Sequence, residues 1–98
     1  MEQRRELRVD ERLVVRIDAR DKAGQSFTEQ VVATSISRRG ALLSGISRQV
    51  RSGDIISVEH RGKNSRFKIV WVRDSESFHL IQAAIHLLER ECCPWQDN

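Results

Sequence analysis

Arg4, Arg5 and Arg8 fall within the first eight residues, ahead of any alternating pattern that packing would demand. A guanidinium is a planar, permanently charged fork of donors that grips phosphates and carboxylates through paired hydrogen bonds. Such a group is either a solvated tail or a set of clamps for an anion. Further along, "SISRRG" places Ser35, Ser37, Arg38, Arg39 and Gly40 together at the end of a run rich in Val and Thr. Hydroxyls there can donate or accept, the two arginines add charge, and a glycine lets another backbone or a ligand come close or takes a positive φ. The plainer reading is that Ser37 caps a turn and Gly40 supplies a bulge.

These residues need a scaffold, and the hydrophobic pattern supplies one. Period-two alternation is clearest from Arg12 to Ala19, where Leu13, Val15, Ile17 and Ala19 share one face and Arg12, Arg16 and Asp18 the other. "RDKAGQ" then reads as a turn, and Phe27 to Ile36 as a second strand. After "SISRRG" the apolar "ALLSGI" resumes, "RSGD" punctuates, and "IISVEH" alternates again. "RGKN" signals a tight hairpin into "SRFKIVWV", in which Phe67, Ile69 and Trp71 are expected on the core face with Lys68 opposite.

The stretch from 78 to 91 reads two ways. Ile81, Ala84, Ile85 and Leu88 would line one side of a helix, whereas Ile81, Ala83, Ile85 and Leu87 would face inward from a strand with Gln82 and His86 outside. Pro94 ends either element, and Trp95 beyond it could fold back to plug an open barrel end. Short strands separated by turns point to an all-β fold, an antiparallel sandwich or barrel, because a sheet this small must cover its edges or close on itself. No internal repeat, low-complexity tract or interdomain linker interrupts it.

Composition bounds the function. The chain has 98 residues, 39% of them hydrophobic, which suits one small domain. No apolar run approaches the roughly 18 residues of a membrane span, and the charged opening lacks the apolar core of a secretory signal, so a cytoplasmic protein without membrane insertion is expected. Cys92 and Cys93 are adjacent and cannot staple distant strands; they read as reduced thiols.

The net charge is only +3, but between Arg38 and Arg73 the acidic residues are Asp54 and Glu59 alone, so one face is basic and suited to a phosphate-bearing partner. No phosphate-cradling glycine loop, nucleophile elbow or metal-ligand spacing among His60, His79, His86 and the cysteines is present, which argues against an enzyme, a cofactor or a metal. Aromatics make up 5% of the chain and Phe67 and Trp71 read as core, which argues against a nucleic-acid polymer as ligand.

Arg4 and Arg8 form R-x-x-x-R, and Ser37 and Gly40 form S-x-x-G at a strand end. With these motifs the sequence resembles the PilZ family, bacterial β-barrels that bind the second messenger cyclic di-GMP and carry R-x-x-x-R followed by D/N-x-S-x-x-G. "RRELRVDERLVVRI", "SISRRGALL", "VRSGDIISVEH", "FKIVWV" and "AAIHLLERECCPW" follow in family order, so the resemblance runs from Arg4 to Trp95. It implies a flexible arginine-rich arm over residues 1–11, an all-β fold over 12–91 that is a small antiparallel barrel of about six strands with a short helical turn allowed near its end, and a tail over 92–98.

The resemblance further implies that Arg4, Arg8, Ser35, Ser37 and Gly40 contact cyclic di-GMP, and Arg5, Arg38 and Arg39, in variable positions beside them, are expected to add positive charge at the same binding site. The arm would order on binding and so signal to a downstream protein. The chemistry is coherent, since guanine O6 and N7 match a guanidinium fork and phosphates accept the same donors. One position departs from the pattern: Ser35 stands where the family has Asp or Asn. Loss of a charge-assisted hydrogen bond there costs about 1.5–3 kcal/mol, roughly ten- to a hundredfold in affinity. The alternative is therefore a degenerate PilZ barrel that serves as a protein-interaction module without nucleotide.

Overall fold

A computed structural model describes residues 11–74 and 80–95. Six strands, β1 (Leu13–Arg20), β2 (Ser26–Thr34), β3 (Gly40–Ile46), β4 (Ile55–His60), β5 (Lys63–Asp74) and β6 (Ile81–Leu87), close into an antiparallel barrel in the order β1-β2-β3-β6-β5-β4. No helix occurs among the described residues, and the segment that fitted both periods is a strand. The strand alternation holds there: Ile81, Ala83 and Ile85 are buried and His86 is exposed. After β6 the chain makes turns at Glu89–Arg90 and Pro94–Trp95, without a helical turn.

The inward residues of every strand meet in one core. Val15 and Ile17 from β1, Val31 and Ala33 from β2, Leu43 from β3, Val58 from β4, Phe67 and Ile69 from β5, and Ala83 from β6 are almost wholly buried. Burial of each large side chain contributes about 1.5–3 kcal/mol, and closure satisfies the backbone groups an open sheet would leave at its edges. Between β4 and β5, His60 pairs with Lys63 across the two-residue turn Arg61–Gly62, whose φ angles of 54° and 83° are the left-handed pair that a type I′ hairpin requires.

Two irregularities re-aim side chains. In β3 the register shifts between Ser44 and Ile46, so that Ile46 points inward after Leu43. In β5 it shifts between Ile69 and Trp71: Ile69 opposes Ile85, Trp71 opposes Ala84, and Val70 is the extra residue. A bulge of this kind inverts the alternation beyond it. Trp71 is therefore not in the core as the period-two reading expected; it is 40% exposed beside Val70, and Val72 packs toward the interior instead.

Candidate functional site

The chain leaves β2 at Thr34 and immediately enters the left-handed region at Ser35, φ 50°. Asn and Asp tolerate that conformation better than other side chains because their short polar groups bond to nearby backbone. Ile36 then turns into the core and Ser37 follows it, only 6% exposed. The Ser37 N–H donates to the Gly40 carbonyl at 2.9 Å, and the Ser37 hydroxyl donates to the same carbonyl at 3.4 Å. The Arg39 N–H donates back to that hydroxyl at 3.3 Å. One acceptor position of the hydroxyl is left over.

Gly40 sits opposite His86 of β6, and a Cβ on it would run into the Ile85 carbonyl oxygen. The close approach that demands glycine is thus made by the neighbouring strand. The Leu87 N–H donates to the Arg39 carbonyl at 2.6 Å and extends the β3–β6 ladder into the turn. From the other side the Trp95 indole N–H donates to the Ser37 carbonyl at 2.9 Å, while its ring stacks on Phe67 with centroids 5.4 Å apart. Trp95 does fold back on the barrel, and in doing so it fastens the Ser37–Gly40 turn to the core. The Ser65 hydroxyl bonds the Cys92 carbonyl and fixes the approach to Pro94.

Over this turn lies a groove of about 390 Å³ whose walls include Ser35, Ser37, Arg39, Gly40, Trp71 and His86, with Val70, Leu42 and Ala84 adding apolar surface. Trp71 offers an aromatic face on its rim, and the Arg73 guanidinium lies 5.3 Å from the ring centroid. Arg73 is itself steadied by the Gln82 side-chain carbonyl at 2.9 Å. A base stacked on such a ring gains about 1–3 kcal/mol, and a guanidinium over the ring adds cation–π attraction.

A wider groove of about 950 Å³ shares Arg39, Val70 and His86 with the first and continues past Lys68, Ser52, Gly53 and Arg90. Arg39, Lys68 and Arg90 pair with no carboxylate among the described residues. Glu91, on the same wall, is consumed: the Arg66 backbone N–H donates to it at 2.9 Å and the guanidinium lies at 3.3 Å. Those contacts, the backbone bond first, hold the Glu91 carboxyl below its usual range. Against Arg39, Lys68 and Arg90 the one other carboxylate on this wall is Glu89, so the surface that remains is net positive, suited to a phosphate.

Of the residues singled out from sequence, Ser35, Ser37, Arg39 and Gly40 meet at one groove, while Arg38 is exposed on the same turn without lining it. Arg4, Arg5 and Arg8 lie outside the described residues. Trp71, His86 and Trp95 were not read as parts of a site. For Trp71 a signal existed, since four consecutive apolar residues, Ile69 to Val72, break the alternation as a bulge does. Comparison of the chain with family models, with curated proteins and with solved structures gave no match to any of them. The class defined by the fold is a closed six-stranded antiparallel β-barrel with a basic groove beside an exposed tryptophan.

Proposed function

We propose that this barrel is a PilZ-type receptor domain of the bacterial cytoplasm that binds cyclic di-GMP in the groove over the Ser35–Gly40 turn. The observation that carries the reading is the convergence of Ser35, Ser37, Arg39 and Gly40 with the outward Trp71 on that groove. A guanine stacks on Trp71, Arg39 meets its O6 and N7 or a phosphate, and Ser35 contacts the nucleotide from the shelf.

Topology supports a part for the arginine arm. Leu13 pairs with Ala33, so the chain enters β1 at the end of the barrel where β2 runs into Ser35. Arg8 is five residues before Leu13, a tether that spans at most about 17 Å when extended. On this reading Arg4, Arg5 and Arg8 close over a ligand in the groove, and the closed arm is the altered surface that a downstream protein reads.

Ser35 decides the strength of binding. The left-handed φ at this position explains in physical terms why a D/N-x-S-x-x-G pattern favours Asp or Asn there. Isothermal calorimetry with cyclic di-GMP tests the proposal on the native chain and on Ser35→Asp. The native chain is expected to bind, and the aspartate variant to bind roughly ten- to a hundredfold more tightly without loss of stability. No heat from either folded protein at high micromolar ligand would overturn it.

A second reading, a degenerate barrel that serves as a protein-interaction module, is favoured by one observation. Both backbone groups of Ser37 and most of its hydroxyl are already spent inside the turn. On that reading Ser35→Asp creates no nucleotide binding.

A further inference from the structure

We infer that His86, together with Lys68 and Arg39, forms a phosphate-binding cluster on the outer face of β5 and β6, and that protonation of the imidazole tightens it. This rests on the nucleotide reading above and names the groups that hold the ligand's phosphodiester.

His86 lies at the centre of three strands, directly opposite Lys68 on one side and Gly40 on the other. The alternation of β6 turns it outward, and it is exposed. Gly40, directly across from it on β3, carries no side chain. His86 and Arg39 line both grooves, so a ligand whose base rests on Trp71 in the smaller one presents its phosphate to them, with Lys68 beyond.

Charge gives a second argument. Residues directly opposite on neighbouring strands have Cβ atoms about 4.5–5.5 Å apart, and like charges there are destabilising. A charged imidazole facing Lys68 is such a pair, and an anion between them removes the repulsion. The other charged groups on the wall of this groove are Arg39 before β3, Arg90 and Glu89 in the turn after β6, and Glu91, which Arg66 holds. On the far side of Lys68, β4 offers only Ile55. A protonated imidazole carries a positive charge and presents two N–H donors. Affinity for a phosphodiester therefore rises when His86 is protonated.

Calorimetry with cyclic di-GMP at about pH 6 and about pH 8, at constant ionic strength, tests this. The native protein is expected to bind about tenfold more tightly at the lower pH, the effect of one added charge-assisted hydrogen bond. His86→Gln should bind equally at both, while Lys68→Gln should bind more weakly at both and keep the pH dependence. Glu89→Gln should also keep it. All three positions are on the outer surface, and circular dichroism verifies the fold of each variant.

Equal affinity of the native protein at the two pH values overturns the inference alone. So does a pH dependence that survives in His86→Gln or vanishes in Glu89→Gln. Absence of binding at both overturns the nucleotide reading with it.

Discussion

The two ends of β2 use their polar groups in opposite ways. At the end joined to β1, Asp21 accepts the backbone N–H groups of Ala23 and Gln25 and pairs with Arg48 at 3.0 Å. Nearby, Arg51 donates to the Lys22 carbonyl and Glu29 accepts the Ser47 N–H. Asp21, Glu29, Arg48 and Arg51 are thus satisfied within the fold. At the other end Ser35 takes a left-handed φ, Arg38 and Arg39 stand exposed, and Lys68, His86 and Arg90 lie along an open groove without a carboxylate partner among the described residues. A turn that closes on itself stabilises the barrel, whereas unpaired cations beside an exposed indole leave binding energy for something else.

The largest test of this contrast is Gly40→Ala. The added Cβ collides with the Ile85 carbonyl, which is backbone and cannot rotate away, so β3 must separate from β6. A cost near the upper end of the 1–3 kcal/mol typical of overpacking is expected, which lowers Tm by about 10 °C or more in a domain of this size. In the β1–β2 turn the same substitution at Gly24 meets no atom within 4 Å. Its φ of 86° is the only penalty there, about 1–2 kcal/mol. Scanning calorimetry of the two variants ranks them; a Gly24 variant that melts below the Gly40 variant would show that β3 and β6 do not approach as described.

How much of this was legible in the sequence follows from what decides each feature. The alternation of Leu13 to Ala19 and of Ile55 to Val58 is a local property of a half-buried strand, and it could be read directly. Residues 81–88 could not be settled locally, because Ile81 and Ile85 satisfy both periods and the flanking alanines and leucines serve either one. The choice is made by pairing with Gly40–Ile46 on one side and β5 on the other. Trp71 was assigned to the wrong face because a single inserted residue, Val70, inverts the alternation past Ile69.

The candidate site divides in the same manner. Serine, arginine and glycine types in "SISRRG" announced a turn that could meet an anion, and that turn borders a groove. That Gly40 is demanded by β6 and that Ser37 spends its hydroxyl on Gly40 and Arg39 are consequences of tertiary approach, invisible to spacing.

An intermediate effect is expected from Trp95→Phe, which keeps an aromatic ring over Phe67 and removes the indole donor to the Ser37 carbonyl. Loss of one hydrogen bond of this kind costs about 0.5–1.5 kcal/mol. The informative readout is local: amide resonances of residues 35–40 should shift and exchange faster while those of the β1–β2 turn stay in place, and affinity for cyclic di-GMP should fall a few fold. Unchanged amides in 35–40 would mean that the turn holds itself and that Trp95 only fills the barrel end.

The smallest effect belongs to the self-satisfied end. The Gln25 backbone N–H, then Arg48 and the Ala23 N–H, hold the Asp21 carboxyl below its ordinary range. A carboxylate whose pKa is lower in the folded state contributes stability that is fully present above the unfolded value near 3.9 and is lost as pH falls through the lowered one. Asp21→Asn keeps the shape and an acceptor but has no charge to lose. The native protein is therefore expected to melt slightly higher than the variant at neutral pH, by less than the Trp95→Phe difference because the pair with Arg48 is screened by solvent. The gap should narrow as the solution is acidified below the ordinary carboxylate range. Thermal melts of both proteins across that window give the slope, and calorimetry at neutral pH gives the second half of the comparison. Nucleotide affinity should be the same for both, since Asp21 and the groove lie at opposite ends of β2; a drop in affinity on Asp21→Asn would mean that the two ends are coupled through the strand and that the contrast drawn between them is wrong.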